Sequence, residues 1–315
     1  MPTDRDLFGR RLEALLPTGR VRADAPLAPL TTFQIGGPAD WLVVVHSLAE
    51  LTEVVRAAGE AAVPLTVLGG GSNVVIADAG IRGVVVRPAL RGISQPAADR
   101  VRAEAGVTIN GLVRWTVGRG LAGLEAWAGT PGTVGGAVFG NAHWGGRNIG
   151  ELVTEVMVLS GEGEATRVSH DDMRFAYDAS RLQATGEVLL WADCRVWPGD
   201  PDALRQTARE SLAYRKRTQP LAMPSAGCIF QNPDPARDGV PPGIPPSAGA
   251  LVDRAGLKGY RIGGASISRT HANFIVNEGG ATARDVRTLA ETARAAVRRQ
   301  FGVELRDEVV FLGVF

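Results

Sequence analysis

Cysteine is nearly absent from this sequence: Cys194 and Cys228 are the two in 315 residues, too few for a disulfide framework. Net charge is nearly absent as well, with 34 Lys and Arg against 33 Asp and Glu, so no basic field points to nucleic acid as the main partner. No apolar run reaches the length of a membrane span. The opening segment MPTDRDLFGRRLEALLP lacks the apolar centre of an export signal. Two familiar phosphate signatures are missing too. No Gly-Lys-Ser/Thr follows the glycines at Gly69, and the G-x-G-x-x-G spacing with its acidic partner does not occur. These absences exclude a secreted disulfide scaffold, a membrane protein and a dedicated dinucleotide fold. They leave a cytoplasmic globular chain with 45% hydrophobic residues, long enough for two or three cores.

Glycine, in contrast, is abundant and clustered. The stretch Leu121 to Asn141, LAGLEAWAGTPGTVGGAVFGN, sets Gly129, Pro131, Gly132, Gly135 and Gly136 among small apolar residues, and LGGGSN at 68–73 repeats the theme after an expected strand. Such segments offer backbone, because no side chain stands between the amides and whatever lies on them. Two of them suit one extended ligand. A nest of amides around a pyrophosphate and a tight hairpin are both open readings of Gly69 to Asn73.

Apolar patterning sets out three α/β units. Leu7 to Leu16 reads as a short peripheral helix, followed by a polar connection up to Leu30. A strand is expected at Trp41 to Val45, then a helix capped by Ser47 with Leu48, Leu51, Val54, Val55 and Ala58 on one face. Further strands follow at Leu65 to Leu68, Val74 to Ile76 and Val84 to Val86. The second unit contributes a strand at Val101 to Glu104, a helix with the stripe Ile109, Leu112, Val113, Thr116 and Val117, and a hairpin from Val156 to Val168. A strand carrying Cys194 runs from Val188 to Trp197. The third begins near Pro201 with a helix ending in Arg215, Lys216 and Arg217. A proline-rich surface loop follows at Pro233 to Pro246. Thr282 and Asp285 mark the capped start of a long helix ended by Gly302. Val303 to Phe315 reads as a closing strand bearing Glu308.

The blocks TTFQIGGPADW, LGGGSNVVI, GLEAWAGTPGTVGGAVFGNA, PSAGCIFQNP, AGALVDRAGLKG, THANFIVN and LRDEVVFLG, running in order from Thr31 to Gly313, resemble the UDP-N-acetylenolpyruvoylglucosamine reductase family in its shorter form. The resemblance implies an α+β, vanillyl-alcohol-oxidase-like FAD-binding fold. Two α/β subdomains would be residues 1–90, with 304–315 returning to the first, and 91–200. A third α/β domain, 201–303, would bind the nucleotide sugar. It implies FAD and NADPH as cofactors and reduction of UDP-N-acetylglucosamine enolpyruvate in peptidoglycan precursor synthesis. A non-catalytic or altered-specificity relative of the same fold is the alternative. No metal, nucleic acid, membrane or obligate protein partner is expected.

Residue by residue, the resemblance assigns Gly69, Gly70, Gly71, Ser72 and Asn73 to the FAD phosphates, and Thr130, Pro131, Gly132, Thr133, Gly135 and Gly136 to the ring and ribityl chain. Cys228 stands where the family usually has a proton-donating serine. A thiol with a pKa of about 8.5 is a competent acid at neutral pH, with Ser225 as the fallback and a buried filler as the competing role. Glu308 matches the second catalytic position, and Arg215, Asn232 and His271 match contacts to the uridine diphosphate. Two departures stand out. The family's Tyr-Arg-x-Ser, whose arginine lies near the substrate carboxylate, is here Tyr177, Asp178, Ala179, Ser180, which leaves Arg181 or Arg174 as replacement cations. The family's Asn-Ala-Gly-Ala is here Asn141, Ala142, His143, Trp144.

Overall fold

Ser47 accepts the Glu50 N–H at 3.2 Å and opens the helix Leu48–Glu60, whose Leu51, Val54, Val55 and Ala58 are buried while Leu48 stays exposed. The structure, a computed structural model, describes residues 4–315. It divides into two units: Met1–Ala25, Ala39–Gly70 and Arg82–Ala213 form the first, and Pro26–Pro38, Gly71–Ile81 and Tyr214–Phe315 the second. The division falls inside the helix Pro201–Thr218.

The first unit is built on two larger sheets, of four and five strands. One has the order Val21–Pro26, Pro38–Val45, Ile81–Pro88, Leu65–Val67, and its last pair is parallel. The helix at the N-terminus spans Asp4–Leu15 and is no peripheral attachment. Phe8 and Leu12 are buried in the core beneath this sheet, Phe8 lying edge-on to Trp41 at 5.1 Å. The expected polar connection contains the strand Val21–Pro26, of which only Ala25 is buried. It is the last strand at one end of the sheet, so it carries little apolar signal. The other sheet is antiparallel, in the order Ala165–Ser169, Val153–Leu159, Val188–Arg195, Arg100–Glu104, Ile93–Ala97. The helix Ile109–Val117 buries all five residues of its stripe against this sheet's core. Cys194 is buried in the same core, where loss of solvent pushes its thiol up to about 12 and removes it from chemistry at neutral pH.

The second unit packs the helix Ala283–Phe301 on an antiparallel sheet ordered Ser225–Cys228, Phe274–Asn277, Ala265–Ile267, Arg261–Ile262. Thr282 and Asp285 form the expected reciprocal cap, and Gly302 ends the helix at φ +71. Asp78 accepts the Ala283 and Arg284 N–H groups at 2.8 and 3.1 Å, binding a distant loop to the same helix start. The strand Val74–Ile76 pairs in parallel with Val310–Leu312, whereas Leu65–Val67 pairs with Ile81–Pro88. The two strands flanking Gly69 to Asn73 are therefore not partners, which excludes the hairpin reading. The closing strand is also shorter than expected. Glu308 precedes it, because the Glu308 and Val309 N–H groups both turn to the Ile229 carbonyl, at 2.8 and 3.3 Å. Pro233 to Pro246 holds no helix or strand.

Candidate active site

In the first unit the two glycine segments meet. A Cβ on Gly69 would lie 2.6 Å from Thr133 Oγ1, and one on Gly70 would lie 2.7 Å from Gly132 Cα. The glycines at 69 and 70 thus allow backbone to approach backbone, a reason the sequence reading did not supply. Thr130 to Gly136 is fixed from below. The Gly132 carbonyl accepts from Ile109 N–H at 3.1 Å, Gly135 N–H donates to the Ala105 carbonyl at 2.9 Å, and Thr133 Oγ1 accepts from Gly136 N–H at 3.4 Å. Asn110, not singled out from the sequence, staples this segment: its Oδ1 accepts from Gly129 N–H at 2.7 Å and its Nδ2 donates to the Thr130 carbonyl at 3.1 Å. Pro131 and Gly136 are exposed, and no atom lies within 3.4 Å of a Cβ built on Gly136. A side chain at position 70 has nowhere to go. Gly70→Val is expected to lower the melting temperature by several degrees and to yield protein with well under half the bound flavin of the parent, read from the visible absorbance per chain. Unchanged values for both would refute the close-approach argument.

In the second unit Gly71, Ser72 and Asn73 lie beside the C-terminal segment. Gly71 has φ +62, and a Cβ there would meet the Leu30 carbonyl and Thr31 Cα, so its glycine too serves chain packing. Asn73 Nδ2 donates to the Glu308 carbonyl at 3.1 Å, and the Asn73 carbonyl accepts from Val310 N–H at 3.0 Å. Glu308 and Cys228 are brought to one region of this unit: both are half-buried, and Glu308 N–H bonds the carbonyl of the residue following Cys228. Cys228 is not in a disulfide and ends the strand Ser225–Cys228, paired with Phe274. Arg215 joins them. It is 4% exposed, and loss of solvent pulls its guanidinium down to about 10, with attraction to a Cys228 thiolate acting the other way. It stays charged at neutral pH, and that charge favours the anion left when Cys228 gives up a proton.

His271 is half-buried and its protonation is disfavoured, first by burial and then by Lys258. Its Nδ1 accepts from Asn273 N–H at 3.3 Å, which places the remaining proton of the neutral ring on Nε2. Asn232 spends Oδ1 on the Ala248 N–H at 3.1 Å, at the start of the helix Ala248–Arg254. A second residue that the sequence reading did not single out is Asn273. Its side chain, 3% exposed, accepts from Phe230 N–H at 3.0 Å and donates to the Phe230 carbonyl at 2.7 Å. The two arginines offered as replacement cations differ in their surroundings. Arg181 is doubly bonded to Glu187 at 2.8 and 3.0 Å, and Arg174 is exposed.

Two family models match the chain: an FAD binding domain over residues 39–169, and the C-terminal domain of UDP-N-acetylenolpyruvoylglucosamine reductase over residues 219–312. UDP-N-acetylenolpyruvoylglucosamine reductase 2 of Symbiobacterium thermophilum is 43% identical over 310 residues, 97% of each chain. The chain belongs to the UDP-N-acetylenolpyruvoylglucosamine reductase family. The reductase of a Synechococcus strain is 40% identical across 95% of this chain and 93% of its own. The crystal structure of the Thermus caldophilus reductase superposes with a TM-score of 0.77 at 31% identity, covering 93% of this chain and 98% of that one. The fold is therefore the α+β, vanillyl-alcohol-oxidase-like FAD fold, and the protein is a flavin oxidoreductase. The first unit's residues fit FAD. A long ligand with a central pyrophosphate suits two backbone-rich segments packed edge to edge, and a side chain at Gly70 would collide with Gly132.

Proposed function

We infer that this chain reduces UDP-N-acetylglucosamine enolpyruvate to UDP-N-acetylmuramate with NADPH, in the formation of peptidoglycan precursors. The observation that carries this is family membership along almost the whole chain, at 43% identity over 97% of its length. Bound FAD, reduced by NADPH, supplies the hydride for the methylene carbon of the enolpyruvyl ether. Gly69, Gly70, Gly71, Ser72 and Asn73 hold its phosphates in this reading, and Thr130, Pro131, Gly132, Thr133, Gly135 and Gly136 its ring and ribityl chain. Residues 1–90 with 304–315, and residues 91–200, serve as the two flavin subdomains, and residues 201–303 as the sugar-nucleotide domain.

The chain's own residues manage the proton and the charge. Cys228 gives its thiol proton to the carbon next to the one receiving hydride, completing addition of H⁻ and H⁺ across the double bond. Arg215 stabilises the thiolate that remains and also serves the diphosphate, through the paired N–H groups of its guanidinium. Glu308, as the protonated acid, donates a hydrogen bond to the carboxylate side while negative charge builds there. His271 Nε2–H and the Asn232 amide contact the uridine diphosphate. The cytoplasm is the fitting compartment for this chemistry, and among the described residues no helix is long and apolar enough to cross a membrane. Roles in cell-wall growth, shape and division follow from the product.

Anaerobic absorbance spectroscopy tests the reading. Purified protein is expected to be yellow, to bleach on adding NADPH, and to recover its colour on adding the enolpyruvyl sugar nucleotide with formation of one equivalent of product. A protein that bleaches and does not recover is a binding relative and not the reductase.

A further inference from the structure

The two places where the chain departs from the family pattern face each other. His143 Nδ1 lies 3.0 Å from Asp178 Oδ1, though 35 residues separate them in sequence. Each is held from several sides within the first unit. His143 is in the two-residue strand His143–Trp144, paired with Arg147–Asn148, and the Trp144 indole N–H donates to Ser211 Oγ at 3.0 Å. Asp178 lies in a tight turn closed by reciprocal Ala176 and Ala179 hydrogen bonds of 3.0 and 3.1 Å, with φ +53. Ser180 Oγ donates to the Phe139 carbonyl at 2.7 Å, and Asn141 Nδ2 to the Ala176 carbonyl at 2.7 Å, so the turn is laced to the end of the helix Val134–Phe139. That helix is capped by Thr133, within the ring-side glycine segment. Tyr177 stacks on the His143 ring, with centroids 4.9 Å apart and the planes tilted by 33°.

Charge makes the pair more than a packing detail. The Asp178 side chain is 10% exposed, and its Oδ2 is buried without a hydrogen-bond partner. A carboxylate so placed needs a countercharge close by. Arg181, three residues on, has its guanidinium committed to Glu187. The His143 ring is in contact with Asp178 and still 27% exposed. An imidazolium with Nδ1–H donating to Asp178 has a second N–H, at Nε2, with which to bind an anion. The substrate of the proposed reaction brings a carboxylate on the very group being reduced, and charge builds on that side in the transition state.

We propose that His143, kept as an imidazolium by Asp178, is the cation that receives the enolpyruvyl carboxylate of the substrate. Asp178 is a positioning residue in this arrangement, and the lost arginine of the Tyr-Arg-x-Ser pattern is replaced from a different segment of the chain. The inference rests on the reductase reading above and adds a residue to it.

The test uses the flavin-loaded protein and separates binding from turnover. Calorimetry gives Kd for the enolpyruvyl sugar nucleotide and for its carboxyl methyl ester, and stopped-flow absorbance follows the two half-reactions. For His143→Gln, a charge-assisted hydrogen bond is lost, so Kd for the acid is expected to rise about ten- to hundredfold. Kd for the ester and the rate of flavin reduction by NADPH should change less than about threefold on the same principle. Asp178→Asn should weaken acid binding in the same sense, and since asparagine tolerates a left-handed turn position the fold is expected to survive. His143→Lys should restore most of the affinity. Unchanged acid binding in His143→Gln, or equal losses for acid and ester, would overturn the proposal. If the parent protein bleaches with NADPH yet never recovers colour with the acid, the reductase reading itself fails and takes this assignment with it.

Discussion

Cys228→Ala is expected to bind FAD and accept electrons from NADPH at the parent rate, and then to lose about 10²- to 10⁴-fold in the reoxidation of flavin by substrate, the range that a positioned proton donor contributes. Cys228→Ser should keep activity within about tenfold of the parent, because it restores a hydroxyl donor of the kind the family usually carries, although an alcohol is a weaker acid than a thiol. The expectation has a structural basis in the second unit. Cys228 ends a sheet strand, is half-buried, and lies within the electrostatic reach of a buried guanidinium. Cys194 makes an internal comparison: fully enclosed by apolar residues and pushed up to about 12, it is a packing residue. Cys194→Ala should therefore leave both half-reactions unchanged. Rapid-mixing absorbance resolves the two steps, and full reoxidation by the Cys228→Ala protein would transfer the proton to Ser225 or to water.

Much of this was legible because it is local. The Ser47 cap, the Thr282 and Asp285 box with Gly302 at the far end, and the stripe from Ile109 to Val117 are each set by residues a few positions apart, and each stands where the sequence places it. Segments at sheet ends were harder. Val21–Pro26 carries Arg22 and Asp24 because it lies at the end of its sheet and buries only Ala25, so neither face shows an apolar pattern. The amphipathic helix Asp4–Leu15 looked peripheral because its two buried residues, Phe8 and Leu12, reveal their weight only against Trp41 and its neighbours. The glycines at 69 and 70 stand out in the sequence, but their packing role does not, since the chain they approach lies some 60 residues away. The same distance problem hid the meeting of His143 with Asp178. Each residue alone looked like a defect in the family pattern, and only the fold makes them a pair. Asn110 and Asn273 escaped notice for a further reason: a polar residue bonded to backbone leaves no periodic signature, and nothing local tells a buried asparagine from a turn residue.

Asn273 carries the second large prediction. Its side chain closes a pair of hydrogen bonds on Phe230, and its own carbonyl accepts from Ile229 N–H at 2.8 Å, so the two residues following Cys228 are held to the strand beginning at Phe274. Leucine at this position fits the volume but satisfies neither the N–H nor the carbonyl of Phe230, both in the core of the second unit. Two buried backbone groups left without partners cost about 1–3 kcal/mol each. Asn273→Leu is thus expected to destabilise the second unit by about 2–6 kcal/mol in total. The slope is about 4–8 °C per kcal/mol for domains of 60–100 residues and about 2–4 °C for those of 150–250, and the second unit lies between, so its melting transition is expected to fall by at least about 4 °C. The strand from Ser225 to Cys228 retains its pairing with Phe274 and Val276, so at a temperature where the variant is folded the loss appears mainly in substrate-dependent reoxidation, as Cys228 is less well positioned, and not in reduction by NADPH. Asn273→Asp is the informative companion. It keeps an acceptor for Phe230 N–H, sets a carboxylate against the Phe230 carbonyl, and should be as unstable as the leucine variant at pH 8 and recover part of the difference at pH 5, where the acid can donate. Differential scanning calorimetry at the two pH values reads this directly, and a leucine variant melting within 2 °C of the parent would show that Phe230 is held by something other than the Asn273 side chain.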